Sequence, residues 1–148
     1  MICLDASVVA KLVLPEPYSD AVHALYAAAE KSGEPIVAPN LLPFEVTNII
    51  RKRMIREAMS ISDAEIAVEQ FLKLAITLVS PSDVHRDALK LADVFGLRAA
   101  YDAHYVVLAG LLGCDLWTDD DELIRVVGTQ FPYVRAISTY QVPMTNGN

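Results

Sequence analysis

A chain of 148 residues with 53% hydrophobic content has the length of one domain and needs no disulfide or zinc staple to build a core. Its 12 Lys and Arg against 19 Asp and Glu leave a formal net charge of -7, which excludes a protein that coats nucleic acid by general electrostatics, since such binding neutralises phosphates with cations. An enzyme that carries its positive charge as cations bound in an acidic pocket stays open.

The cysteines, Cys3 and Cys114, lie in apolar runs with no Cys or His at zinc-ligand spacing, and read as small core residues in a reducing compartment. The apolar start, Met1 to Leu14, is interrupted by Asp5 and Lys11 and lacks a basic leader, so no signal peptide is expected. Tyr105 to Trp117 contains Gly110, Gly113 and Asp115 and is too short to span a bilayer. A soluble, cytoplasmic protein is the expectation.

In chain order, Ile2-Cys3-Leu4 predicts a short strand ending at Asp5, and Ala6 to Val13 a helix stopped by Pro15 and Pro17. Tyr18 to Lys31 is Ala-rich and helical, with Gly33 closing it, and Ile36-Val37-Ala38 is a second strand. From Asn40, a plausible cap, the next helix presents Leu41, Leu42, Val46, Ile49 and Ile50 as its inward stripe, with Pro43 tolerable in the first turn. Glu45 falls among these positions. A carboxylate there must be paired, protonated, bound to a metal or able to reach solvent at the stripe's edge.

The same helix ends in Arg51-Lys52-Arg53-Met54-Ile55-Arg56, the one basic cluster of the chain. Arg51, Lys52, Arg53 and Arg56 can complement the helix dipole, or contact a phosphate or an acidic partner. Ser62 is read as opening a further helix, with Ile66, Val68, Phe71, Leu72 and Ala75 as its apolar positions. Thr77-Leu78-Val79 predicts a third strand and Asp83 to Phe95 a helix ending at Gly96. Asp102 stands near the start of a strongly apolar helix, where it reads as a cap or as a site acid; His104 reads as an ordinary helix residue, with neither His23 nor His85 placed to join it. Cys114 to Thr118 is the fourth strand and runs into Asp119-Asp120-Asp121, followed by a short helix from Glu122 to Val127; Tyr133 to Ile137 is the fifth strand. With no repeat or linker, residues 1–142 read as one domain and 143–148 as a frayed polar tail.

Short strands alternating with helices predict an α/β fold, a parallel sheet covered on both faces. Asp5 and the cluster 119–121 then lie at the C-terminal ends of strands, where open α/β sheets bind ligands, while Glu45 and Asp102 interrupt helices that pack on the sheet. Each acid taken singly can be a cap or a surface residue. Gathered in a half-buried cleft, they demand cations, and oxygen-only ligation suits Mg²⁺ or Mn²⁺ and excludes a Cys/His zinc site.

The strand entering Asp5-Ala6-Ser7, then Pro43-Phe44-Glu45-Val46, Tyr101-Asp102-Ala103 and Leu116-Trp117-Thr118-Asp119-Asp120 occur in the order found in the PIN-domain ribonucleases. Within that family the chain resembles the VapC-type toxins of toxin–antitoxin pairs, over nearly its whole length. The resemblance implies a PIN-like sheet of about five parallel strands flanked by helices, and an endoribonuclease dependent on one or two Mg²⁺ or Mn²⁺ ions. It implies Asp5, Glu45, Asp102 and Asp120 as catalytic and metal-binding residues, with Ser7, Thr118 and Asp119 supporting them. It further implies an RNA substrate, homodimerisation and a small antitoxin whose tail fills an apolar groove. The alternative is a catalytically weak or inactive PIN-like domain that binds protein or RNA. Phosphoryl transfer through an aspartyl-phosphate ranks lower: haloacid dehalogenases expect a second Asp two positions after the first, where Ser7 stands, and receiver domains expect an acid pair and a later Lys that the chain does not show.

Overall fold

The computed structural model describes residues 1–142; the tail expected to fray, 143–148, lies outside the described residues. Five strands form one sheet: β1 (Ile2–Leu4), β2 (Ile36–Pro39), β3 (Ile76–Val79), β4 (Asp115–Thr118) and β5 (Val134–Ala136), in the order β3-β2-β1-β4-β5. Every pairing is parallel. Strands β1 and β2 are buried along their whole length, which is why they read as unbroken apolar runs without polar alternation. Edge strand β3 exposes Thr77 and Leu78.

The helices are α1 (Ala6–Ala10), α2 (Ser19–Ser32), α3 (Leu42–Glu57), α4 (Ile61–Leu72), α5 (Ser82–Phe95), α6 (Tyr101–Leu112) and α7 (Asp121–Val127), with a 3-10 turn at Ile137–Thr139. Helix α6 packs on the central strands β1, β2 and β4, α5 covers α6, and α1 and α4 both lean on α3. Gly33 and Gly96 close α2 and α5 at φ 69° and 64°, the left-handed region that favours glycine. Both cysteines are free and buried, as expected. Among the described residues no helix is long and apolar enough to cross a membrane.

Local chemistry corrects several expectations. Helix α1 ends at Ala10 and passes into turns well before Pro15. Helix α3 starts at Leu42 with no side-chain cap, so Asn40 does not cap it. Ser60, not Ser62, opens α4: its hydroxyl accepts the Asp63 N–H at 3.1 Å and donates to Asp63 Oδ2 at 2.7 Å. The stripe of α4 is also different, for Ala64, Ala67 and Phe71 are buried while Ile66 and Leu72 stand in solvent. The inward face of α4, which leans on α3, is thus built of two alanines and one phenylalanine. His85 does join His104: their Nδ1 and Nε2 atoms lie 3.1 Å apart, linking α5 to α6.

The strand order places a reversal at the middle of the sheet. From β1 the chain moves outward through β2 to β3, then returns past β1 to β4 and β5. Leu4 is in register with Trp117, and the Asp5 N–H donates to the Trp117 carbonyl at 3.2 Å. The C-terminal ends of β1 and β4 therefore open side by side at the topological switch point, where open α/β sheets form a crevice.

Candidate active site

Asp5 follows β1 in extended conformation and caps α1, its Oδ1 accepting the Val8 N–H at 3.0 Å and the Ser7 hydroxyl at 2.6 Å. It is only 7% exposed. Burial pushes its pKa from 3.8 up to about 6, the hydrogen bonds from Ser7, Thr118 and Val8 oppose that rise, and the negative charge of Asp102 adds to it. Asp5 is thus a helix cap, and the same buried carboxylate lines a cavity at the strand ends.

The second strand end repeats the device. Asp120 caps α7 through Oδ1, which accepts the Leu123 N–H at 2.9 Å, and its own N–H donates to Thr118 Oγ1 at 3.0 Å. Asp121, one residue on, is exposed in the first turn, where it complements the helix dipole. From α3, Glu45 Oε2 accepts the phenol proton of buried Tyr105 at 2.6 Å. Burial pushes Glu45 up to about 7, Tyr105 opposes this, and Asp102 and Asp5 add repulsion. Asp102, in the first turn of α6, is raised by burial and then by the charge of Asp120.

Asp5, Ser7, Glu45, Asp102 and Asp120 line one cavity of about 350 Å³, with Asn48, Lys52 and Tyr105 completing its wall. The structure thus brings together all four acids, drawn from two strand ends and two helices. Asp5, Glu45 and Asp102 are all displaced toward the protonated form, first by burial and then by the negative charge of their neighbours. An oxygen-only donor set of this kind fits a hard divalent cation. Among the described residues no three His, Cys, Asp or Glu side chains are already placed closely enough to hold an ion.

Asp119 has a different occupation. Its Oδ2 meets Lys11 Nζ at 2.8 Å, and its N–H donates to Ser7 Oγ at 3.0 Å. Lys11 is 4% exposed and also pairs with Glu16 Oε2 at 3.0 Å. Burial lowers the Lys11 pKa, but Asp119 and Glu16 overcome it and leave the value raised. Glu16 in turn holds Arg53, which also reaches Glu57 at 3.1 Å and the Pro15 carbonyl at 3.3 Å. Arg53 is 8% exposed, which removes it from the residues expected to contact RNA or a partner. The basic cluster is split: Arg53 turns inward, Arg56 pairs with Glu57 at 3.1 Å, Arg51 borders a groove between α3 and α4, and Lys52 faces the acidic cavity. Sequence reasoning missed Lys11, Tyr105 and Asn48. Only for Lys11 was there a local signal, a lone cation inside an apolar run.

A family model described as "PIN domain" matches residues 2–128. The chain belongs to the PIN domain family. Two curated relatives are similar to this PIN domain over most of both chains. Ribonuclease VapC12 of Mycobacterium tuberculosis is 31% identical over 128 residues, covering 86% of this chain and 93% of the relative. Ribonuclease VapC3 of Pyrobaculum aerophilum is 30% identical over 122 residues, covering 81% and 89%. Among solved structures, PAE2754 from Pyrobaculum aerophilum superposes with a TM-score of 0.68 at 21% identity, covering 93% of this chain and 91% of that one. That likeness bears on the fold, and it agrees with a parallel five-stranded sheet in this PIN domain.

Proposed function

We propose that this PIN domain is a divalent-metal-dependent endoribonuclease that hydrolyses RNA phosphodiester bonds, the toxin of a toxin–antitoxin pair. The observation that carries the reading is the gathering of Asp5, Glu45, Asp102 and Asp120 around one cavity at the switch point of the sheet. The kinship with ribonucleases named VapC supplies the substrate class.

One or two Mg²⁺ or Mn²⁺ ions supply Lewis acidity toward a phosphate oxygen and acidify water at neutral pH. Asp5, Glu45, Asp102 and Asp120 are the residues that would hold them. Asp120 commits Oδ1 to a backbone N–H and Glu45 commits Oε2 to Tyr105, so each keeps its other oxygen for coordination in a fixed orientation. Ser7 and Thr118 orient the two strand-end carboxylates, Ser7 by donating to Asp5 and Thr118 by accepting the Asp120 N–H. Lys52, the one cation lining the cavity among the described residues, draws the RNA backbone toward an otherwise repulsive wall. Water is the attacking group, and the chain needs no nucleophile of its own.

The partner protein would be a small antitoxin. Its surface on this chain is an apolar groove of about 480 Å³ between α3 and α4, lined by Ile50, Met54, Ile61, Ala64 and Val68 with Arg51 at its edge. A homodimer and residence in the cytoplasm complete the proposal. The test is cleavage of single-stranded RNA with Mn²⁺ or Mg²⁺ by the wild type and by Asp5→Asn. Cleavage that stops on chelation and is lost in the variant supports the reading; a wild type that is inert with metal sinks it. Cation-dependent stabilisation without any cleavage would favour instead a domain that acts by binding.

A further inference from the structure

Two aromatic side chains stand in solvent beside the acidic cavity. Phe44 is 78% exposed and Tyr101 is 62% exposed, and neither belongs to the hydrophobic core. Each directly precedes a site acid, Glu45 or Asp102, on a helix. Successive helical residues turn by about 100°, so an acid aimed into the cavity leaves its preceding neighbour on the rim. Both rings, with Asn48 and Lys52, line a second cavity of about 640 Å³ that shares Glu45, Asn48, Lys52 and Asp102 with the acidic one.

The chemistry of this second cavity is specific. Lys52 forms no salt bridge among the described residues, although Glu45 and Asp102 line the same space. Its charge is therefore available to a phosphate from outside. Exposed π-faces beside an unpaired cation are what unpaired nucleotides require, the bases stacking on rings while the cation follows the backbone. In a duplex the base faces are already stacked within the helix and cannot be offered.

We propose that Phe44 and Tyr101 form a base-stacking subsite for unpaired nucleotides flanking the scissile phosphate, with Lys52 holding the RNA backbone. This assignment rests on the nuclease reading and narrows its substrate to single-stranded or looped RNA. Stacking reads a face that every base possesses, so the subsite favours strandedness over sequence.

The experiment has a binding arm and a cleavage arm. Binding of a fluorescent single-stranded oligoribonucleotide and of its duplex is measured by anisotropy in an Asp5→Asn background, and cleavage is measured in the wild-type background. Phe44→Ala and Tyr101→Ala should each raise the single-strand Kd, and the KM for cleavage, by about 5- to 150-fold, with kcat and the Mn²⁺-induced rise in Tm little changed. Phe44→Trp and Tyr101→Phe should retain parental binding, because the ring is what acts. Duplex binding should not respond. A single-strand Kd within twofold of the parent in both alanine variants overturns the proposal. So does a Phe44→Ala variant whose particle mass changes while RNA binding does not, which would give this face to a second protein chain. RNA binding that depends on the rings, in a wild type that never cleaves, would sink the nuclease reading and leave the subsite standing.

Discussion

Replacing Asp5 with Asn should make the protein more stable while abolishing cleavage. Asn keeps the shape and the cap, since its side-chain oxygen can still accept from Val8 N–H and Ser7, but it removes the buried charge. With its carboxyl pushed from 3.8 up to about 6 by burial, ionised Asp5 costs the fold about 3 kcal/mol at neutral pH in the absence of cations. Part of the gain is lost to the new amide N–H₂, which needs a partner of its own, leaving about 1–3 kcal/mol and a rise in Tm of about 3–10 °C for a chain of this size. The pH dependence identifies the cause. Because the folded-state value lies above the unfolded one, the wild type is favoured below about pH 4 and loses that contribution as pH rises through about 6. The variant's advantage should therefore be absent near pH 4 and complete by about pH 7. Thermal melts in EDTA across that range, beside RNA cleavage with Mn²⁺, measure both quantities. A variant no more stable than the wild type at pH 7 refutes the charge argument, and one that still cleaves refutes the role of Asp5.

Other outcomes follow from the same geometry. Mn²⁺ should raise the wild-type Tm more at pH 8 than at pH 5, because Asp5 and Glu45, with values near 6 and 7, are largely protonated at the lower pH and compete with the ion; an equal rise at both would remove the carboxylates as its ligands. Lys11→Met strands Asp119 and leaves Glu16 with Arg53 alone, and should cost about 3–5 kcal/mol in urea unfolding. Adding Asp119→Asn should recover part of that loss, and strictly additive effects would show that the pair is not coupled. Asp120→Asn should abolish cleavage with α7 still capped, whereas Asp121→Asn, changing an exposed first-turn residue, should leave most of it; the reverse result would shift the assignment at this junction.

The switch-point acids were legible in the sequence for a simple reason. A strand buried on both faces must be an unbroken apolar run, so the residue at which it ends is marked by the change to polar chemistry. Asp5 and the 119–121 cluster stood at such changes, and Glu45 and Asp102 were conspicuous as charges within helices that had to pack. What local pattern could not assign was partnership, because a single run does not say which run lies beside it. The family resemblance set Asp120 apart from Asp119, but only the placement of β4 next to β1 gave each acid its surroundings, with Asp119 held by Lys11, Asp120 on the cavity wall and Asp121 left in solvent. The same holds for the basic residues of α3, where four neighbouring cations look alike until packing buries Arg53 against Glu16 and aims Lys52 at the acids. Hydrophobic periodicity records which residues avoid water, and charge pairing is settled by which surfaces meet. Local pattern was enough for the alternation of elements and the acids at their ends, whereas the meeting of distant surfaces set which charges the protein itself pairs, as with Lys11 and Asp119, and which share a cavity with like charges.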